Sequence, residues 1–196
     1  MAKGASYVVQ YRRKRAGRTN YKKRLDMLKS RKARLVVRKS NMRMLAQIIE
    51  YAEAGDKIAI SADSNDLKEF GWKYSGKNLP AAYLTGYLCA KRSIAKGNKE
   101  AVMDIGLQAS ISGSSIYAAL KGAADGGLQI PIGKEILPDD KRISGAHIAD
   151  YAGKLEKKEH DKKFSGYIKA GADPKNITNT FNEVKKNIEK SFQKDA

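Results

Sequence analysis

The 196-residue chain is poor in residues on which several large classes of protein depend. Cys89 is its only cysteine, so no intramolecular disulfide can form, and the two histidines show no metal-ligand spacing with it. No apolar run approaches the roughly 20 residues that span a bilayer, and residues 1–5 contain no apolar signal segment. These absences predict a cytoplasmic protein. Cys89 lies near Leu84, Tyr87 and Leu88 on a predicted apolar helical face, so we interpret it as a small residue of the core.

Signals for catalysis are also nearly absent. The chain has neither a phosphate-binding loop ending in Gly-Lys-Ser/Thr nor a dinucleotide glycine fingerprint. Asp104 ends a predicted strand, where two-metal nucleases place carboxylates, but such a site needs several acids and only Glu100 and Asp125 are near in sequence. We favour a structural role, in which Asp104 accepts hydrogen bonds in the turn after the strand. The residues therefore give little support for catalysis and predict no cofactor, and an RNA-processing nuclease remains the alternative.

A serine-rich turn, Ser112-Gly113-Ser114-Ser115, precedes a predicted helix. Its hydroxyls and backbone amides suit a phosphate at a helix N-terminus, but they suit an ordinary helix cap equally well. We favour the cap.

Acidic residues are almost missing from the stretch between Arg12 and Arg43. Asp26 is the only acid there, against fifteen Lys and Arg, and the whole chain carries a formal charge of +18. Confining so much like charge costs self-repulsion that a counter-charged surface would relieve. Tyr11 and Tyr21 add flat faces on which unpaired bases can stack. The stretch predicts a nucleic-acid partner.

A solvated tail, a nuclear-import signal and a patch for anionic lipid are the competing interpretations of this basic run. Lipid binding needs a broad apolar face, and residues 11–30 offer only two Tyr, two Leu and one Met. A bare tail fits poorly because the run continues directly into Leu35-Val36-Val37 without a low-complexity spacer.

The chain divides into a basic arm (residues 1–32), an α/β core (33–130) and a helical C-terminal extension (131–196). Residues 33–40 predict a strand, because β-branched residues occupy their centre. Residues 42–53 are ambiguous: apolar spacing slightly favours a helix, but the turn-like Ala54-Gly55-Asp56 leaves open a strand of a three-strand meander.

Later segments predict alternating helices and strands. A helix follows Pro80, residues 100–107 predict a strand, and residues 116–123 predict a second helix, which together give a mixed sheet with flanking helices. In the extension we expect one amphipathic helix capped by Ser144. A second, starting near Asp173, should pack its apolar stripe on the core and leave its lysines in solvent.

Several motifs occur in the order found in ribosomal protein eighteen of the large subunit. The segments that carry this resemblance are residues 11–21, Arg34-Leu35-Val36-Val37-Arg38-Lys39-Ser40-Asn41, Ala46-Gln47-Ile48-Ile49, Phe70-Gly71-Trp72-Lys73, Pro80-Ala81-Ala82-Tyr83-Leu84-Thr85-Gly86, Asp104-Ile105-Gly106-Leu107, residues 118–123 and Gly127-Leu128-Gln129-Ile130-Pro131. The resemblance extends from about Tyr7 to about Tyr151. The long arm and Glu135-Ile136-Leu137-Pro138 are similar to the archaeal form.

This resemblance implies a structural, non-catalytic ribosomal component that binds 5S ribosomal RNA and helps attach it to the large-subunit ribosomal RNA. Implied partners are these two RNAs and neighbouring large-subunit proteins, with no membrane, metal or small-molecule substrate. The implied fold is an α/β core with a ribonuclease-H-like motif that lacks the nuclease metal site, and in it residues 44–51 form a strand of a hairpin. Residues 153–196 depart from the family pattern, and no partner is predicted for them.

The resemblance also implies which residues contact RNA. We expect the arm to order on binding. Phosphate contacts are expected from Arg12, Arg13, Lys14, Arg15, Arg18, Lys22 and Arg24. Base stacking is expected from Tyr11 and Tyr21. Polar contacts at the strand end are expected from Arg38, Ser40 and Asn41. Further contacts are expected from Arg31, Lys32 and Lys73.

Overall fold

A four-stranded mixed sheet forms the centre of the molecule in a computed structural model that describes residues 4–193. The first three residues of the predicted arm and the last three of the predicted extension lie outside this range. The strands are β1 (Arg34–Lys39), β2 (Met44–Glu50), β3 (Lys57–Asp63) and β4 (Val102–Asp104), in the order β3-β2-β1-β4. The first three form an antiparallel meander, and β4 pairs with β1 in parallel.

The meander resolves the ambiguous segment: residues 44–50 are a strand, as the family resemblance implies, and the helical periodicity was misleading. Leu35 of β1 lies opposite Ile48 of β2, which lies opposite Ile60 of β3, and all three are buried. Because side chains alternate along a strand, these residues share the inner face while Ile49 points to the outer face. Tertiary pairing therefore outweighs the local spacing.

The predicted strand over residues 100–107 is confirmed in type but is shorter. It spans Val102–Asp104, because Gly106 turns the chain with a φ of 62° and its N–H donates to Asp104 Oδ1 at 2.8 Å. A positive φ is readily adopted by glycine, which has no Cβ to clash.

Two helices cover the inner face of the sheet, as predicted. They are α3 (Leu79–Ala95), capped by the Asn78 side chain, and α4 (Ser115–Asp125). They cross at backbone contact: a Cβ on Gly86 would lie 1.9 Å from the Ala119 carbonyl oxygen, and one on Gly122 would lie 2.0 Å from that of Tyr83. Glycine at both positions is what allows this close packing.

The serine-rich turn does not cap α4 with a hydroxyl. Ser114 occupies the N-cap position, but its side chain accepts no capping hydrogen bond, and Ser114 Oγ and Ser115 Oγ are buried without partners in residues 4–193. The Ser112 hydroxyl instead donates to the Glu135 carbonyl at 3.1 Å.

The C-terminal extension contains α5 (Asp140–Ile143), α6 (Ala146–Lys154), α7 (Lys157–Lys163), α8 (Ser165–Lys169) and α9 (Ile177–Gln193). Ser144 does not cap α6 as predicted. Its hydroxyl donates to the Lys141 carbonyl, and Gly145, with a φ of 86°, takes the N-cap position. No helix in the described part of the chain is long and apolar enough to cross a membrane.

The apolar stripe of α9 packs into the core as predicted, through Ile177, Phe181, Val184 and Ile188. One of its lysines is only partly exposed: Lys185 Nζ donates to the Tyr83 hydroxyl at 3.2 Å and lies 5.3 Å from the centre of the Tyr87 ring. The Tyr87 hydroxyl donates to Glu189 at 2.7 Å. The last helix is thus tied to α3 by apolar contacts and by polar contacts.

Candidate nucleic-acid interface

Two short helices organise the basic arm. They are α1 (Arg12–Arg15) and α2 (Tyr21–Leu28), and the Asn20 side chain caps α2 by accepting from the Lys23 N–H at 3.2 Å. Tyr11 and Tyr21, both expected to stack on bases, lie beside each other with ring centroids 5.1 Å apart. Tyr11 is 72% exposed, so its ring remains accessible.

A chain of ion pairs joins α2 to the outer face of the sheet. Arg24 donates from both terminal nitrogens to the two oxygens of Asp56 at 2.7 Å. Arg34, only 3% exposed, donates to Asp56 at 2.6 Å and to Asp104 at 2.8 Å. Alternating charges from the arm, the β2–β3 turn, β1 and β4 are thereby joined in a network that we call the Arg24–Asp104 network, made of Arg24, Asp56, Arg34 and Asp104.

Hydrogen bonding within this network shifts the pKa of Arg24 and of Asp56. The Arg24 guanidinium, followed by that of Arg34, lowers the pKa of Asp56 against the opposing effect of burial. The hydrogen bonds to Asp56 raise the pKa of Arg24. Both groups are therefore charged at neutral pH, and the negative charge of Asp56 is offset by its two arginine neighbours.

Asp104 has the structural role that the sequence favoured. One of its oxygens accepts from Gly106 N–H and the other from Arg34. The two acids that could have joined it in a metal site have other partners: Glu100 pairs with Lys32 at 2.6 Å, and Asp125 accepts from the Tyr83 hydroxyl. Within residues 4–193, no three His, Cys, Asp or Glu side chains are grouped so as to hold a metal ion.

The space between the arm and the sheet is a groove of about 800 Å³, here called the arm–sheet groove. Its sides carry cations from both elements, and its base is formed by the outer faces of β1, β2 and β3. Five predicted RNA-binding residues line it: Arg13, Arg18, Tyr21, Arg24 and Arg38. The groove thus brings together residues that are far apart in the sequence.

A second depression of about 520 Å³ surrounds the turn between β1 and β2. Arg38, Ser40 and Asn41 line it, as does the exposed Met42. The Ser40 hydroxyl, expected to contact RNA, already accepts from Arg43 N–H at 2.9 Å and lies 3.1 Å from the Arg43 carbonyl oxygen, to which it donates. The Ser40 side chain therefore stabilises the turn on which Arg38 and Asn41 are exposed.

Arg31 and Lys32 line a third depression, of about 440 Å³, together with Glu50 and Glu100. Its two acids face three cations, whereas the two acids of the arm–sheet groove face seven, so it is less suited to phosphate. The remaining predicted residues are exposed and line none of these three depressions; they are Tyr11, Arg12, Lys14, Arg15, Lys22 and Lys73.

Some residues that line the first two depressions are not among those predicted from the sequence. Lys23, Lys39 and Arg43 belong to the basic run, and their charge alone is a signal for them. Gln47 and Ile58 follow from strand alternation once β2 is assigned, whereas no sequence signal indicates Gln108.

Comparisons with known proteins agree over nearly the whole chain. The sequence matches the family described as "Ribosomal large subunit proteins 60S L5, and 50S L18" over residues 5–102 and again over 95–133. Among its relatives are three proteins named large ribosomal subunit protein uL18. The one from Methanosphaera stadtmanae is 47% identical over 98% of this chain and 100% of its own length. The one from Korarchaeum cryptofilum is 49% identical over 96% and 97%. The one from Methanothermobacter thermautotrophicus is 46% identical over 96% and 98%.

Proposed function

Because the chain belongs to the family of large ribosomal subunit proteins 60S L5 and 50S L18, it is a non-enzymatic structural constituent of that subunit, and we propose that it binds 5S ribosomal RNA there and helps attach it to the large-subunit RNA. The resemblance inferred from the sequence motifs, including its archaeal type, is confirmed. The identity of the RNA and the residues that touch it belong to the proposal.

One observation carries the proposal: the arm–sheet groove collects cations from the arm and the sheet, while the two acids beside it are already paired. Asp56 and Asp104 are each bound by arginine, so they repel phosphate less than free carboxylates would. Arg13, Arg18 and Arg38 remain along the groove without ion-pair partners in residues 4–193. Such an array suits an RNA backbone, to which arginine donates in pairs.

The arm acts in two parts in this mechanism. Helix α2 is held on the sheet and belongs to a preformed RNA-binding face, whereas the stretch before it, with exposed Tyr7, Val8 and Val9, lies outside the core. This exposed stretch wraps the RNA and pays an ordering cost on binding, which reduces the net gain from its phosphate contacts. The proposed phosphate contacts remain those inferred from the family resemblance, Arg12, Arg13, Lys14, Arg15, Arg18, Lys22 and Arg24.

The decisive experiment is a salt series of 5S ribosomal RNA binding by the purified full chain, with an unrelated structured RNA of similar size as competitor. We expect a preference for 5S RNA that persists at physiological salt, because recognition of shape and unpaired bases adds to the charge term. Equal binding to both RNAs, weakening together as salt rises, would instead favour a general nucleic-acid-compacting protein.

Replacing Arg12, Arg13, Lys14 and Arg15 together by alanine tests the arm. Each of these side chains that binds a phosphate in the wild-type protein should contribute about 0.7 to 0.9 to the slope of log affinity against log salt, so the slope should become shallower by that amount per side chain. A matched control replaces Lys141, Arg142, Lys157 and Lys158 of the C-terminal extension, which removes the same charge elsewhere. An unchanged slope in the arm variant, or an equal change in the control, would refute the arm's role.

A further inference from the structure

The arm–sheet groove differs from a simple phosphate-binding surface because part of its lining is apolar. Val36 and Ile49 lie on the outer face of the sheet, line the groove and are only 5% and 7% exposed. Ile58 of β3 and Leu107 of the loop after β4 line the same groove and are 58% and 54% exposed. Exposed aliphatic side chains at two places in one concave space indicate a ligand with an apolar surface.

Polar groups in the groove add the capacity to recognise such a ligand. The Gln47 and Gln108 side chains each use one N–H, to the Ser61 hydroxyl and the Val37 carbonyl, in hydrogen bonds of 3.4 Å. In the described chain their Oε1 atoms accept no hydrogen bond, and they can accept from an amino group. A side-chain amide presents both donors and an acceptor, which is the pattern needed to read a base edge.

Cations at the groove's margin supply the third requirement. Arg13, Arg18 and Arg38 line it, and the Arg13 Nε is held by the Thr19 hydroxyl at 2.8 Å, which leaves its terminal nitrogens available. An apolar floor, amides and a cationic margin together match the base, the base edge and the phosphate of one nucleotide.

We propose that the arm–sheet groove binds one or two unpaired nucleotides of the RNA, with a base against Ile58 and its phosphates on the arginines. This inference rests on the proposed function and specifies the form of RNA that its site accepts. A groove of about 800 Å³ lies within the range of about 300–1,000 Å³ typical of small-molecule pockets, so its size suits one or two nucleotides. A duplex would present no base face there, because its bases remain stacked and paired.

Photo-crosslinking tests the proposal directly. The photoreactive residue p-benzoylphenylalanine replaces Ile58 in the full chain and, in a matched control, replaces Ile111, which is similarly exposed at 63% but does not line the groove. Each protein is irradiated with 5S ribosomal RNA, and the crosslinked nucleotides are mapped by primer extension. We expect crosslinks from position 58 at one or two unpaired nucleotides. Crosslinks mainly to paired nucleotides, or none above the level from position 111, would overturn the proposal.

Filling the groove provides a second measurement. Ile58→Trp should weaken RNA binding about tenfold or more, which corresponds to about 1.4 kcal/mol, because the indole takes the place of the base. Ile111→Trp should leave binding unchanged. Urea denaturation would first show that both proteins are folded. Equal RNA affinities for Ile58→Trp and wild type would then contradict a base in this groove.

Failure of the proposed function is distinguishable, because it shows in the wild-type protein as equal binding to 5S and competitor RNA. Position 58 crosslinks to unpaired nucleotides of the competitor would then still support the groove. Conversely, a clear 5S preference combined with crosslinks to paired nucleotides alone would preserve the function and reject the groove.

Discussion

Removing the shared carboxylate of the Arg24–Asp104 network should both destabilise the protein and release the arm from the sheet. The change is Asp56→Asn, which keeps the side-chain size but removes the charge that Arg24 and Arg34 share. Arg34 is 3% exposed and cannot turn to water, although it keeps Asp104 as a partner.

The magnitude follows from the charge-assisted hydrogen bonds that the substitution breaks or weakens, because an amide keeps only one accepting oxygen and carries no charge. The Arg34 bond is charged and largely buried, and a bond to a charged group is worth about 1.5–3 kcal/mol, so we assign it about 2 kcal/mol. The Arg24 pair is about a quarter exposed on each side and is discounted to about 1 kcal/mol because solvent screens it. Asp56→Asn should therefore lower the free energy of unfolding by about 3 kcal/mol.

Urea denaturation followed by Trp72 fluorescence measures this change, since Trp72 is the only tryptophan and is 2% exposed. Hydrogen exchange of residues 21–28 reports the arm: their amides should exchange faster in Asp56→Asn than in wild type. The matched control is Asp26→Asn, which breaks an exposed pair with Lys29 and should change stability by less than about 0.5 kcal/mol.

Acid should abolish the difference between wild type and Asp56→Asn. The folded protein lowers the pKa of Asp56, so its stabilisation is fully present above the unfolded value of about 3.9 and is lost as pH falls through the folded pKa. A stability difference below about 0.5 kcal/mol at pH 7, or a difference that does not shrink at acidic pH, would refute the network's role.

Three further predictions concern the core. Gly86→Ala should destabilise the protein by about 3 kcal/mol or prevent folding, because its Cβ would clash with the Ala119 carbonyl. The control Gly153→Ala, which places a Cβ in open space on α6, should be neutral or slightly stabilising. Thermal denaturation compares the two variants. Burial raises the pKa of Cys89 to about 12, so a thiol reagent at pH 8 should label it only after urea unfolding, and rapid native labelling would contradict its burial. Ile188→Ala on α9 should cost about 2–5 kcal/mol in urea, and a cost near that of a surface change would show that α9 is not part of the core.

The sequence predicted elements whose signals were local. Strand β1 and helix α3 followed from β-branched residues and from Pro80 before an apolar repeat, and both formed as predicted. Strand β2 was ambiguous because Leu45, Ile48 and Ile49 fit a helical face, and only pairing with its neighbours decides between the two structures. Family motifs resolved it where periodicity did not.

Polar contacts between distant residues were the least predictable. Arg34 lies in the basic run, and nothing local indicates that it is buried between Asp56 and Asp104, 22 and 70 positions away. The predicted hydroxyl caps were wrong for a related reason. Ser144 and Ser114 are residue types that commonly cap helices, but the Ser144 hydroxyl donates to the Lys141 carbonyl and the Ser114 hydroxyl is buried without capping its helix. The candidate groove depends on such long-range contacts. The sequence therefore predicted which Arg and Lys bind RNA but not which of them line the same groove.

The position of α9 in the core has a consequence for synthesis. Its Ile188 packs in a core whose other members come mostly from the first 130 residues. Its Glu189 accepts a hydrogen bond from Tyr87, which lies 102 residues earlier in the chain. A chain emerging N-terminus first exposes its fifteen early cations to the RNA around it before the residues that complete its fold have been made. During that interval the unfinished protein is a polycation with an open apolar face. It therefore has most need of a chaperone, or of its own RNA, before translation of the last helix is complete.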